Sequence, residues 1–169
     1  MGITKYFRIK EDEEIRNRPI LFDFKSPILK AESVENEENI VYAKSIGQSL
    51  DYSDKRLLLV SDEFKEILKM YHPDYTYKIV IIQVEGKESQ EVYWSIEMPD
   101  ECKCLAPSTT FNKGGMLDKI IINEQEAHGL AMFRIPNKFR NYYVVRLDLV
   151  ESLLRRGLVG FVLEELDHE

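Results

Sequence analysis

Hydrophobic and polar positions alternate along this chain with two different periods. Lys5–Ile9 (KYFRI) and Ile20–Phe24 (ILFDF) are short segments rich in aromatic and β-branched residues, and they predict strands. Lys25–Asn39 shifts to Ser, Pro, Glu and Asn and predicts a loop, with a further strand over Ile40–Ile46. Leu57–Val60 is a short apolar run that predicts a buried strand. Ser61 and Asp62 then supply an N-cap and first-turn acid, and Phe64, Ile67, Leu68 and Tyr71 recur at the spacing of one helix face. His72-Pro73 ends that helix, because the residue before proline avoids helical geometry. Tyr77–Val84 predicts a long strand, and Val92, Trp94 and Ile96 alternate with Tyr93, Ser95 and Glu97 as another. Met98–Met116 contains Pro99, Pro107, Gly114 and Gly115 without a period and predicts a long loop. Asp118–Ile122 and Leu130–Ile135 predict two strands around a turn that includes Gly129.

The last thirty residues repeat the pattern. Tyr142–Val145 predicts a strand. Asp148 is placed to cap a helix, with Glu151 completing a capping box. Val150, Leu153 and Leu154 form its expected apolar face, Gly157 stops it, and Leu158–Leu163 predicts a final strand. Asp62, Phe64, Ile67, Leu68 and Lys69 align without a gap on Asp148, Val150, Leu153, Leu154 and Arg155, an offset of 86 positions. Each amphipathic helix must cover a sheet. The expected fold is therefore α+β: a mixed, mostly antiparallel sheet with two amphipathic helices in a repeated strand–helix–strand arrangement. Residues 1–169 suit a single domain at this length.

Charge narrows the partners. Thirty acids and 23 bases leave a net charge of −7, and no basic run exceeds Arg155-Arg156. Nucleic-acid binding needs clustered cations, so none is expected. The acids cluster instead at Glu11–Glu14, at Glu32, Glu35, Glu37 and Glu38, and at Glu164, Glu165, Asp167 and Glu169. This suits solubility and complementarity to a basic partner. The longest apolar runs fall far short of the ~20 residues that cross a bilayer, so no membrane partner is expected. Lys5, Arg8 and Lys10 break the only early apolar stretch, which argues against a signal peptide. Cys102 and Cys104 would close a tiny, strained disulfide ring, so free thiols in a cytoplasmic protein are the expectation.

Motifs for catalysis are sparse. The chain has no phosphate-binding glycine loop, dinucleotide fingerprint or nucleophile elbow. Cys102-x-Cys104 with His72, His128 or His168 falls outside the paired spacing of structural zinc sites, so no metal or other cofactor is expected. Ser108-Thr109-Thr110 has no evident base, and Asp100-Glu101 are loop neighbours. No enzyme activity is expected from these residues. Trp94 is read as core-facing with Val92 and Ile96.

Arg56–Leu68 (RLLLVSDEFKEIL) and Met132–Leu166 resemble a bacterial family once catalogued as a domain of unknown function and now grouped with the immunity proteins of polymorphic toxin systems. The resemblance runs from about Lys55 to Leu166. It rests on Val60-Ser61 with Phe64, Ile67 and Leu68; on Tyr93-Trp94; on Phe133-Arg134; and on Gly160-Phe161 after Leu153-Leu154. The chain departs from the family pattern at Met98–Cys104, where members often carry an Asp-containing acidic stretch. What the resemblance implies is neutralisation of a cognate protein toxin by direct binding. The residues expected to meet it are the acids of the two irregular segments: Glu35, Glu37 and Glu38 in the first, Asp100 and Glu101 in the second. The alternative expectation is a non-catalytic structural or assembly module, homo-oligomers included.

Overall fold

A computed structural model describes residues 4–16, 40–43, 50–55, 57–84, 86, 88–98, 103–137 and 139–169. In chain order the elements are β1 (Tyr6–Glu11), β2 (Ile40–Ala43), β3 (Tyr52–Ser53), β4 (Leu59–Val60), α1 (Asp62–Tyr71), β5 (Thr76–Val84) and β6 (Gln90–Glu97). These are followed by β7 (Thr110–Phe111), β8 (Leu117–Lys119), β9 (Ile121–Ile122), α2 (Glu124–Ala127), β10 (Met132–Ile135), β11 (Tyr142–Arg146), α3 (Leu147–Arg155) and β12 (Phe161–His168). The predicted strand at Ile20–Phe24 lies outside the described residues.

Two five-stranded sheets carry the fold, which is α+β. Sheet I has the order β3-β4-β6-β5-β2 and sheet II the order β10-β11-β1-β12-β9. Their pairings correspond strand for strand. In each, three antiparallel pairings run across the sheet and a parallel one closes it: β5 with β2 in sheet I, β12 with β9 in sheet II. In each, the helix joins two parallel strands that hold a third strand between them. That strand is β6 in β4–α1–β5 and β1 in β11–α3–β12. The repeat read from the helices therefore extends to whole sheets, with one difference: the central strand of sheet II comes from the start of the chain.

Alternation along each strand divides the core. Tyr143 and Val145 of β11 enter one cluster, while Tyr142 and Val144 enter a second on the opposite face. The first cluster joins both sheets and both long helices through Ile9, Tyr52, Val60, Phe64, Leu68, Ile96, Met132, Leu149 and Leu153. Between the helices, Tyr71 Oη donates to the Asp148 carbonyl at 3.0 Å and lies 2.8 Å from Ser152 Oγ. The second cluster packs Tyr6, Phe133 and Leu166 of sheet II against Cys104, Ile120, Ile122 and Ala127. The long segment predicted as loop reaches this cluster through Cys104 and Leu105, and it contributes β7, one strand of the β7–β8 hairpin.

Local signals decide α1 but mislead for α3. Ser61 caps α1, its Oγ accepting from the Phe64 N–H at 3.2 Å. The α3 N-cap is Arg146, not Asp148, and it makes no side-chain cap bond. Asp148 instead takes two 2.8 Å hydrogen bonds from the Arg146 guanidinium and accepts from the Leu149 N–H. These hold its carboxyl below the usual range, the Arg146 bond contributing most. With the helix entered two residues earlier, the buried stripe is Leu149, Val150 and Leu153, and Leu154 is 55% exposed. The final strand also starts late, after Gly160, and runs through the charged residues to His168. Cross-strand ion pairs from Lys5, Arg8 and Lys10 to Glu164 and Glu165 sustain it there.

Gly160 has a backbone reason. Its φ is +103°, and a Cβ would stand 2.9 Å from Leu50 Cβ. The Gly160 carbonyl accepts from Asp12 N–H, and the neighbouring Val159 exchanges hydrogen bonds with Asp51. Gly160→Ala should destabilise the protein by about 1–3 kcal/mol. Urea melts that superimpose on the parent would disprove this backbone role.

Candidate functional site

The acids expected to contact a partner, Glu35, Glu37, Glu38, Asp100 and Glu101, all lie outside the described residues. So does Cys102. Cys104 is fully buried and disulfide-bonded, which overturns the expectation of a free thiol there. Cys104 is packed in the second cluster, with its carbonyl accepting from the Asn123 N–H at 2.8 Å. The hydroxyls of the long segment are structural too. Ser108 Oγ donates to Glu169 at 2.7 Å, and Thr109 Oγ1 both donates to the Ile121 carbonyl and accepts from its N–H. Of the three histidines, His128 is exposed, His168 pairs with Glu124, and His72 is buried between units. Among the described residues no three His, Cys, Asp or Glu side chains gather as a metal site.

A polar seam joins β1 to β3. Glu11, only 6% exposed, accepts from Ser53 Oγ at 2.9 Å and from Asp54 N–H at 3.3 Å. Asp54 in turn accepts from Glu11 N–H and from the Tyr52 hydroxyl. Burial raises the Asp54 carboxyl; the hydrogen bond from the Glu11 N–H is the largest influence opposing it, followed by the Tyr52 hydroxyl and Arg140, while the Glu11 carboxylate adds to the rise. Glu11 Oε2 and both Asp54 oxygens are engaged by backbone and hydroxyl donors at the junction of the two sheets. The arrangement fixes the position of β1 against β3 and does not present a carboxylate pair to solvent.

The surface with binding character lies on sheet I. Helix α1 has ten residues and spans about 15 Å, while β5 has nine and spans about 30 Å. The helix cannot cover the whole length of the sheet beneath it. Where it does, Val60, Ile96 and Tyr77 pack in the first cluster. Beyond its N-terminus the β5–β6 ladder sets Ile79 opposite Trp94 and Ile81 opposite Val92. On this overhang Ile79 is 40% exposed and Val92 50% exposed. Next to it, where the chain leaves β4 for α1, Leu50, Asp51, Ser61, Glu91, Val92 and Tyr93 line a pocket of about 230 Å³.

Acids rim the overhang. Lys65 lies 3.8 Å from the centroid of the Trp94 ring, with its ammonium bound to Asp62 at 2.7 Å and Glu66 at 2.8 Å. Burial works to lower the Lys65 pKa, and the bonds from Asp62 and Glu66 outweigh it and hold it above its ordinary value. Asp62 is lowered, chiefly by Lys65. The buried Trp94 indole N–H makes no hydrogen bond of proper geometry, though its approach to Asp62 helps that lowering. Asp62 and Glu66 themselves stand well exposed at the edge of the apolar strip.

The sequence reading placed Trp94, Val92 and Ile96 together on the core face. Trp94 and Ile96 do pack against the first cluster, but Val92 faces water. The mismatch between a ten-residue helix and a nine-residue strand was present in the residues, and it is the signal that locates the strip. No helix among the described residues is long and apolar enough to cross a membrane. In comparisons with known proteins, no family model matches this chain and no curated protein matches it.

Proposed function

We propose that this chain is an immunity-type protein that neutralises a cognate bacterial toxin by binding it directly. The resemblance over Lys55–Leu166 supplies the reading. The observation that supports it is the exposed apolar strip at Ile79 and Val92, rimmed by Asp62 and Glu66. Contiguous exposed apolar residues with a polar rim mark protein-binding surfaces. A net charge of −7 adds fast association with a basic partner. Action in the cytoplasm belongs to the same proposal. The disulfide at Cys104 removes the free-thiol argument for that location.

Co-expression with the protein encoded by the adjacent gene tests the reading. Growth should be restored in cells that make both proteins, and the two should co-purify at equal stoichiometry. Unrelieved toxicity together with separate elution would reject it. Stable self-association of this chain at micromolar concentration would favour an assembly module instead.

A further inference from the structure

The two sheets provide an internal comparison for the apolar strip. The offset of 86 that aligns the helices also aligns β5 with β12, carrying Thr76–Gln83 onto positions 162–169, against the observed Phe161–His168. Tyr77 falls on Leu163, and both pack against the first cluster. Val80 falls on Leu166, and both are buried on the opposite face. The pairing partners agree as well: Tyr77 lies opposite Ile96 as Leu163 lies opposite Ile9, and Ile79 lies opposite Trp94 as Glu165 lies opposite Phe7.

At the overhang the two units part. Ile79 corresponds to Glu165 and Ile81 to Asp167. In sheet II these positions are solvated and ion-paired, Glu165 with Lys5 at 2.8 Å and Asp167 with Lys119 at 2.7 Å. One fold element, used twice, is thus finished with charge in sheet II and left aliphatic in sheet I. Solvent exposure alone cannot account for the isoleucines, since the same place in sheet II meets solvent with ionised side chains.

We propose that the Ile79–Ile81–Val92 strip is the docking site for a basic protein that sets an aliphatic or aromatic side chain on the strip and Lys or Arg beside Asp62 and Glu66. This rests on the proposed toxin-neutralising function and names the surface that performs it. Charge decides against a second copy of this chain as the occupant. Self-pairing would bring the exposed Asp62 and Glu66 of each copy toward an equally acidic rim, at a cost for like charges in an interface.

The test transplants the finish of sheet II. A variant with Ile79→Glu and Ile81→Asp carries residues that the fold already tolerates at the equivalent places. It also keeps the negative charge that attracts a basic partner, so a loss of binding reports the apolar contact. Titration calorimetry with the adjacent-gene protein should show binding weakened by about a hundredfold or more, with an unchanged melting temperature. Phe111→Ser, at an exposed apolar residue of the β7–β8 hairpin, should leave binding unchanged. Equal affinity of parent and double variant would overturn the docking site while leaving the neutralising function intact.

If the parent itself does not bind the adjacent-gene protein, that function fails and the surface is read separately. The probes are then a Leu/Lys amphipathic peptide and its Leu/Glu counterpart, followed by amide shifts. Shifts at Ile79, Ile81 and Val92 with the Lys peptide alone uphold a docking site for a basic partner. Shifts with both peptides, shifts elsewhere, or a concentration-dependent dimer through this strip overturn it.

Discussion

Phe64→Ala should destabilise the protein by about 3–5 kcal/mol, a large share of the ~5–15 kcal/mol that holds a domain of this size together. Phe64 is fully buried on α1, and its ring packs 5.9 Å from Tyr52 of β3 and 6.5 Å from Phe161 of β12. It therefore binds sheet I, α1 and sheet II into one cluster, and removing it opens a cavity at their junction. Leu68→Ala, at a fully buried position on the same helix, should cost about 2–5 kcal/mol. Leu154→Ala is the contrasting case. The apolar spacing of α3 places Leu154 inward, yet its exposure predicts a change within about 0.5 kcal/mol. Urea melts of the three variants check the assignment together. A Leu154→Ala loss as large as that of Phe64→Ala would show that the α3 stripe is wrong.

Acidification should destabilise the protein through His72. Its Nε2 accepts from the Ala131 N–H at 2.9 Å and the Met132 N–H at 3.3 Å, which ties the end of α1 to β10. The ring stacks on Tyr75 with centroids 4.1 Å apart, and Tyr75 Oη donates to the Met132 carbonyl at 2.6 Å. Burial first, then Asp74, pushes the Tyr75 phenol up to about 12, so it remains a donor throughout. Burial also lowers the His72 pKa, opposed by Asp74 and aided by Arg146. A proton on Nε2 would face two N–H donors and break both bonds. Because the folded pKa lies below the unfolded value, the folded chain binds fewer protons, and stability rises with pH. The contribution is complete above pH ~6.5 and fades as pH falls toward the folded pKa. His72→Leu leaves two buried N–H groups without their acceptor and should cost about 1–3 kcal/mol at pH 8. It should also flatten the loss between pH 7 and pH 5. A variant as pH-sensitive as the parent would assign the acid response to other groups.

How much of this could be read from the residues depended on the range of the interactions involved. The α1 boundaries follow from Ser61 and from Pro73, both local, and the structure keeps them. The α3 cap failed because Asp148 has a stronger partner two residues back in Arg146, a competition that a capping pattern does not record. Burial of the long segment's Cys104 requires knowing that sheet II has an uncovered face, which depends on strand order. That order is non-local, since β1 pairs with residues more than 130 positions away. The candidate surface is intermediate. Ile79 and Ile81 are plain in the sequence as strand residues, but that Ile79 is exposed and Ile81 only half-buried emerges when a short helix is laid over a longer hairpin.

The placement of β1 also sets an order of events. Sheet I draws its strands from residues 40–97, so every pairing partner within it is at hand once that stretch has been synthesised. The central strand of sheet II is made first and must wait for β11 and β12, which arrive more than 130 residues later. Closing so long a loop is entropically slow, and contacts of this separation form late. During synthesis, Tyr6, Phe7 and Ile9 are therefore expected to travel unpaired beside a first unit that already has its own sheet, with the seam of Glu11 with Ser53 and Asp54 and the Tyr52 hydroxyl on the Ile9 carbonyl as the contacts available to hold them. Strand β1 is therefore expected to lock late, and it supplies Ile9 to the first cluster and Tyr6 to the second.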